Sequence, residues 1–486
     1  MFSKVKLMNS TKDKTFSGLK WSTIQRFGTM GITFTSNMVL ARFLSPEDFG
    51  CIGMLMIFIS LANTLIDGGF GSALIQKKNP STEDYSTIFF WNIILSTLLY
   101  GVLYITAPYI ALFYKIPLLA SVLRVQGLTL IFNSFSIVQQ NILRKQLLFK
   151  TYAKVSLSAT LLSVIIAIFG AVKGWGVWSL VAQQISLSIF CAIFYWLVTN
   201  WYPKFIFSFK SFKELFKFGG FMLLSHVFST LSNEIQGLIV GRMFSPAHLG
   251  IYSQAYRLEG AVATSASSVI DQVSFPVLAS MQSDNDRLKI TLKRFIQITT
   301  LVCAPLMVLM IIVAEPLIIT LYSAKWVDCI PYFQILCVAG LAVCLQGAAN
   351  NTIAAIGKSA MFFKWTIIKR TITILLCFLG VAFGMYGLLW GCVLGAWCVY
   401  VINSLLVSHC IGYSFVKQFL DIVPFIIISC LVGVCVYVFN LLCPITNIYI
   451  SLIIQISIYL VLYAMVIFLL NLESVAYIKE LLKRRF

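Results

Sequence analysis

The chain has 486 residues, 59% of them hydrophobic and 11% charged, with a mean hydropathy of +0.90. Soluble domains carry roughly 25% charged residues, so water is not this chain's main surroundings, and its long unbroken apolar runs exclude a transmembrane β-barrel, whose strands alternate. The net charge of +19 is spread in short clusters between apolar runs, which excludes a nucleic-acid-binding domain and instead marks loops held on the cytoplasmic side of a membrane.

Taken in chain order, apolar runs bounded by charge, Pro or Gly predict helices near 17–40, 48–68, 86–107, 118–140, 152–171 and 176–198. A second series falls near 216–240, 248–271, 295–319, 331–354, 362–383 and 387–408, and two more near 422–441 and 447–470 close the chain. Each is close to the ~20 apolar residues that a helix needs to span a bilayer. The first run lacks a small-residue cleavage site, so it reads as a retained helix rather than a signal peptide. With the N-terminus inside, Arg42, Lys115, Arg124, Lys173, Arg242 and Lys325 fall in outside loops, and Arg26 and Arg257 fall within spans. All other Lys and Arg are assigned to inside segments, which predicts fourteen helices with both termini cytoplasmic. The basic tail "ESVAYIKELLKRRF" reads as a short interfacial amphipathic helix.

The chain repeats itself. "VLARFLSPEDFG" (39–50) returns as "IVGRMFSPAHLG" (239–250), so Arg42, Ser45, Pro46 and Gly50 recur as Arg242, Ser245, Pro246 and Gly250. Weaker echoes follow in the same order: "DGGFGSALIQ" with "DQVSFPVLASMQ", "LRKQLLFK" with "GKSAMFFK", and "GWGVW" with "MYGLL". Six spans separate the first copy from the second, so both cross the membrane in the same direction. The expected fold is an all-α polytopic membrane protein with two parallel six-helix lobes, 1–200 and 201–412, related by a pseudo-twofold along the membrane normal. Helices 13 and 14 with the tail, 413–486, fall outside the duplication. The repeated motif reads as a structural hairpin. Arg42 suits a helix C-terminus, Ser45 caps the next helix, Pro46 fits its first turn, and Glu47 and Asp48 favour its positive end.

Register by 200 residues aligns two polar stripes. The first predicted helix carries Ser22, Gln25, Arg26, Thr29, Thr33, Ser36 and Asn37; the seventh carries Ser225, His226, Ser229, Asn233 and Gln236. Taken singly, such side chains read as glue between helices. As paired stripes that include Arg26, they read as two walls of a hydrated cavity, because an unpaired intramembrane Arg costs at least ~2.5 kcal/mol and needs water, an anion or an acid. Arg257 and Glu259 in "YSQAYRLEG", with Glu234 on the seventh helix, are open to two readings: an ion pair between helices, or an anion ligand beside a proton or sodium site. Asp67 and Asp271 read as interfacial caps before gating residues. Most of the thirteen cysteines sit in apolar runs without a CxxC pair or Cys/His cluster, so neither a metal site nor a disulfide framework is expected. No phosphate loop or Rossmann fingerprint is present, so neither ATP nor another cofactor is expected, beyond H+ or Na+ coupling.

The duplicated plan, with "LARFLSPEDFG" (40–50), "DGGFGSALIQKK" (67–78), "FPVLASMQSDNDRL" (275–288) and "AEPLIITLYSAKW" (314–326), resembles the multidrug/oligosaccharidyl-lipid/polysaccharide exporter superfamily. Within it the likeness is to the polysaccharide transporter branch, the Wzx-type lipid-linked oligosaccharide flippases of the colanic-acid-like subgroup. The resemblance implies a non-enzymatic transporter in the bacterial cytoplasmic membrane. It would move undecaprenyl-pyrophosphate-linked repeat units to the outer leaflet for O-antigen, capsule or exopolysaccharide. Membrane lipid, a polysaccharide polymerase and chain-length machinery are the implied partners. It also implies two rocking lobes around a cationic cavity, with Arg26 and Arg257 as pyrophosphate contacts; Ile57 stands opposite Arg257 in the repeat, so the cavity would be asymmetric. A drug/cation antiporter of the same superfamily is the alternative, and would need acids to dominate the cavity. A membrane polymerase or ligase would need a large outside loop, and the outside loops here are only about a dozen residues by the ~20-residue span rule.

Overall fold

The computed structural model describes residues 2–281, 284–356 and 359–470, which form α-helices with no strand among them. The expected tail helix (473–486) and the side chain of Asp271 lie outside the described parts. The chain divides into two compact units, Met1–Gly250 and Ile251–Phe486. The first holds α1 (Phe2–Phe43), α2 (Pro46–Asp67), α3 (Phe70–Gln76), α4 (Thr82–Tyr114), α5 (Leu118–Gln126), α6 (Leu128–Lys145), α7 (Phe149–Val172), α8 (Val177–Val198) and α9 (Phe209–Met243). Helix α10 (Pro246–Ala279) starts at the end of that unit and continues in the second. There it is followed by α11 (Asn285–Ile312), α12 (Ala314–Tyr322), a 3-10 turn (Ala324–Trp326), α13 (Cys329–Ala355), α14 (Ser359–Val381), α15 (Gly384–Ile411), α16 (Phe415–Leu442) and α17 (Ile448–Leu469).

Among the described residues, ten segments are long and apolar enough to cross a bilayer: α2 with α3, α4, α5 with α6, α7, α8, α11, α13, α15, α16 and α17. The chain is a multi-pass membrane protein. The other four expected spans fall on α1, α9, α10 and α14, of 42, 35, 34 and 23 residues. All four carry polar or charged residues within the expected spans, which lower their hydropathy.

Two expected helices are each split. The run 118–140 breaks at Gly127, where an added Cβ would lie 3.0 Å from both the Leu123 carbonyl and the Tyr100 ring. The run 295–319 stops at Ile312 and resumes at Ala314; Pro316 lacks the N–H that would bond Ile312, and its ring collides with the carbonyl four residues back. Helix α3 went unseen because "DGGFG" reads as a loop. Gly68 and Gly69 instead adopt φ of 56° and 70°, ending α2 and turning the chain into α3.

Local signals account for several helix starts. At α2, the Ser45 side chain accepts from the Asp48 N–H while Asp48 accepts from the Ser45 N–H at 3.0 Å, a reciprocal capping box. The same box recurs at α4 with Ser81 and Asp84. In the second motif copy Ser245 still accepts from the His248 N–H at 3.4 Å, but histidine has replaced the returning carboxylate.

The two motif copies meet. A Cβ on Gly50 would lie 1.9 Å from the Pro246 carbonyl oxygen, and one on Gly250 would lie 1.9 Å from that of Pro46. Each glycine therefore admits the first turn of the other copy's helix, the reciprocal pattern that a twofold contact imposes. The repeated glycine is the sequence trace of that approach. At the opposite end of α2, the Lys77 ammonium bonds Asp84 at 3.0 Å and Glu214 at 3.2 Å, tying the start of α9 to that of α4. Desolvation lowers the Lys77 pKa, but the bonds to Asp84 and Glu214 outweigh it and hold the group above its usual 10.5.

In the second unit, α14 and α15 form a glycine-lined hairpin, with Gly380 and Gly387 each 2.3 Å from the other's carbonyl oxygen when given a Cβ. Leu292, Ile296, Leu345, Val407 and Ile422 join α11, α13, α15 and α16 in one core. Phe425, Val432, Tyr459 and Tyr463 hold α16 against α17.

Replacing Gly50 or Gly250 with Ala should destabilise the protein by ~1–3 kcal/mol through overpacking, read as a lowered melting temperature in detergent. Ser45→Ala should lose about 1 kcal/mol, more than Ser245→Ala. Because Lys77 has a raised folded-state pKa, its stabilisation is complete below 10.5 and fades as pH climbs through the folded value. Wild-type stability should therefore fall more steeply above about pH 10.5 than that of Lys77→Met.

Candidate functional site

The α1 stripe divides by role. Gln25 donates to Ser156 on α7 at 3.3 Å, and Ser36, fully buried, accepts from Gln183 on α8 at 3.1 Å. Thr29 returns its hydroxyl to the Gln25 carbonyl at 2.7 Å. Ser22, Arg26 and Thr33 are exposed. Gly28 lets α7 close in, since an added Cβ would lie 2.7 Å from Leu157. One edge of the stripe thus binds α1 to α7 and α8, and the other is open.

On α9, Ser225, His226, Ser229 and Asn233 are all exposed, and Gln236 is half-buried. The adjoining face of α9 packs along α2 as an antiparallel ladder of polar rungs. Ser60 donates to Glu234 at 3.4 Å, Thr64 meets Thr230 at 3.0 Å, and Asp67 lies in the electrostatic field of His226. Backbone contacts close both ends: Gly50 on Pro246, and Gly69, whose Cβ would lie 2.4 Å from the Gly219 carbonyl oxygen. The stripes of α1 and α9 are thus carried by different helix pairs.

Asp67 is the last residue of α2, so it caps no helix N-terminus, and the helix dipole disfavours an acid there. His226 and Arg144 lie close enough to act electrostatically on its carboxylate. A Cβ on Gly71 would lie 2.9 Å from the Asn141 amide and 3.1 Å from the Asp67 carboxylate, so α2, α3 and α6 converge there. Asn133 on α6 donates to Asn63 on α2 at 3.2 Å, and Lys145 donates to the α3 carbonyls of Leu74 and Ile75 at 3.0 and 2.9 Å.

Sequence reasoning missed the α2 and α6 faces. Their signal was present: Ser60, Asn63, Thr64 and Asp67 step by three and four, as do Asn133, Ser136, Gln140 and Arg144. The 200-residue register drew attention to α1 and α9 and away from these.

In the second unit Arg257 is exposed, whereas Glu259 is buried and lies against Gly340, where a Cβ would come within 2.1 Å of its carboxylate. Two residues apart on a helix, they point to different sides. Lys369 is a surprise. Assigned with "KWTIIKR" to a cytoplasmic segment, it lies near the middle of α14 and is only 7% exposed. Its ammonium donates to Asn403 at 2.8 Å and Asn350 at 3.3 Å. Reading the basic cluster as a loop obscured this position, because Lys364, Lys369 and Arg370 all fall within α14. The motif arginines sit at helix ends: Arg42 is exposed in the last turn of α1, and Arg242 lies over the Phe113 ring at 4.9 Å. Among the described residues, no three His, Cys, Asp or Glu side chains are grouped to hold a metal.

These features can be set beside known proteins. A family model described as "Polysaccharide biosynthesis protein" matches residues 39–331. The teichuronic acid biosynthesis protein TuaB of Bacillus subtilis is 26% identical over 74% of each chain. The succinoglycan biosynthesis transport protein ExoT of Rhizobium meliloti is 24% identical over 84% of this chain and 80% of its own. Among solved structures, the lipid II flippase MurJ in an inward closed conformation superposes with a TM-score of 0.71, covering 92% of this chain and 97% of that one at 17% identity, a likeness of fold.

The division within α1 is open to measurement. Gln25→Ala and Ser36→Ala should each cost ~0.5–1.5 kcal/mol of stability through a lost hydrogen bond, whereas Arg26→Ala and Thr33→Ala should leave stability within about 0.5 kcal/mol of wild type, read from melting temperatures. Equal losses at all four positions would contradict an open edge.

Proposed function

The chain belongs to the polysaccharide biosynthesis protein family, and from that premise we propose that it is a flippase for undecaprenyl-pyrophosphate-linked oligosaccharides in the bacterial cytoplasmic membrane. The observation that carries this reading is the pair of exposed polar faces on α1 and α9, which include Arg26 and His226. Lipid cannot satisfy such groups, so they call for water or a polar ligand within the membrane. A sugar headgroup poses the same problem: each hydroxyl left unpaired in hydrocarbon costs several kcal/mol. A hydrated path resolves both, while the polyprenyl tail stays in lipid.

In this reading Arg26 and Arg257 each contact the pyrophosphate. The guanidinium suits that role because it stays charged and its planar fork binds phosphate oxygens bidentately. Gln25, Thr29, Thr33, Ser36, Ser225, His226, Ser229, Asn233 and Gln236 supply the polar surroundings, with Gln25 and Ser36 acting through helix packing. Glu234 and Glu259 are the acids proposed for ion coupling, and a coupled charge gains ~2.3 kcal/mol per 100 mV. Both termini are placed in the cytoplasm, the lobes run 1–200 and 201–412 with 413–486 appended, and the work is transport rather than bond-making. A polymerase and chain-length machinery would receive the product.

Purified protein in liposomes should move a fluorescent polyprenyl-pyrophosphate oligosaccharide between leaflets, and Arg26→Ala should slow that movement at least tenfold with the melting temperature unchanged. A folded wild-type protein that moves no such lipid would overturn the reading.

A further inference from the structure

We propose that a cleft between α6 and α8 holds one acyl chain of an anionic phospholipid whose phosphate is bound by Lys204. The proposal rests on the chain's residence in a membrane and not on the flippase reading. The cleft has a volume of about 450 Å³ and is lined by Phe135, Ala192, Ile193, Trp196, Leu197 and Tyr202. The Trp196 indole N–H donates to the Phe135 carbonyl at 2.8 Å, which fixes that ring as a wall. The Tyr202 ring stands 6.1 Å from it at the rim. Ile193, Leu197 and Tyr202 are 48, 75 and 67% exposed, so the cleft opens outward, where a membrane helix meets lipid. None of its residues belongs to the open polar faces of α1 and α9.

The chain that leaves α8 identifies the occupant. Residues 199–208 form no helix and are fastened across the start of α4. The Lys204 N–H donates to the Ser86 hydroxyl, and the Ser208 N–H to the Thr87 hydroxyl, both at 3.0 Å. Held there, the linker and the first turn of α9 expose Tyr202, Phe205, Phe207 and Phe209 beside Lys204 and Lys210. Aromatic rings interleaved with lysines are the composition of a membrane–water interface, where rings sit at headgroup depth and ammonium groups reach the phosphates. From 199 to 217 the chain carries four lysines, Lys204, Lys210, Lys213 and Lys217, and one acid, Glu214. That acid already bonds Lys77. The surplus of positive charge selects an anionic headgroup over a zwitterionic one. Lys204 is two residues from Tyr202, at most about 7 Å along the backbone, so one molecule can place its phosphate on the ammonium and a chain in the cleft. A transported lipid must carry its headgroup away from the interface, whereas Lys204 is tied to α4 at its backbone; a resident phospholipid fits that fixed position.

Photocrosslinking of the full chain in phosphatidylcholine liposomes tests this. The probe is phosphatidylglycerol with a diazirine near the end of one acyl chain, set against phosphatidylcholine bearing the same chain. In the wild type the anionic probe should label the segment 192–202 about fivefold more than the zwitterionic one, the ratio that ~1 kcal/mol for one lysine at an anionic surface supplies. Lys204→Gln, a change at an exposed side chain, should bring the two probes within twofold of each other with the melting temperature unchanged, and Lys204→Arg should keep the preference. Ile193→Trp, which fills the cleft, should cut labelling by both probes at least threefold. Equal labelling of the wild type by the two probes, a preference that survives Lys204→Gln, or labelling that a folded Ile193→Trp leaves intact overturns the proposal. Displacement of the probe by undecaprenyl phosphate but not by unlabelled phosphatidylglycerol also overturns it, and gives the cleft to the transported lipid instead.

Discussion

The first unit depends on the antiparallel seam between α2 and α9. Its middle is polar, with Ser60 on Glu234, Thr64 on Thr230 and Asp67 in the field of His226. Its ends are backbone on backbone, at Gly50 with Pro246 and at Gly69 with Gly219. In hydrocarbon there is no hydrophobic drive between helices, so close packing and hydrogen bonds must hold them. Glycine provides the approach and the hydroxyl rungs provide the register. A seam of this kind holds two helices at a defined depth while leaving the outer face of α9, with Ser225, Ser229 and Asn233, open.

That geometry explains why one chain carries the same Ser-Pro and glycine twice. The motif caps a helix and, through its glycine, receives the other copy. Duplication of a span pair makes such a reciprocal contact easy to satisfy, because one solution serves both sides. Asp48 of the first copy completes its capping box; in the second copy the Ser245 hydroxyl accepts from the His248 N–H.

Much of this was legible in the residues. Apolar runs placed the long helices, and Ser45-Pro46 announced a cap. That Gly50 marks a close approach was not legible, since its partner Pro246 lies nearly two hundred residues away. The polar stripe on α1 was visible, but its division into packing and open edges was not: whether Gln25 faces Ser156 or water depends on helix rotation, which composition does not encode. Lys369 was hidden for the opposite reason. Charge clusters mark loops on average, and a lysine that has found two amide oxygens inside a helix looks the same in sequence as one at its end. Gly127 and Pro316 split expected helices for local steric reasons that were readable in retrospect.

The functional account turns on one physical claim, that the open faces of α1 and α9 are wet rather than lipid-facing. Single cysteines introduced as Thr33→Cys, Ser229→Cys and Asn233→Cys, in a chain whose thirteen native cysteines are replaced, test it in intact membranes. The account predicts reaction with a charged, membrane-impermeant thiol reagent at all three positions, slowed by polyprenyl-pyrophosphate oligosaccharide, while Leu98→Cys on the apolar surface of α4 stays unreactive. Reaction of the three positions only with membrane-soluble reagents, as at Leu98, would contradict it.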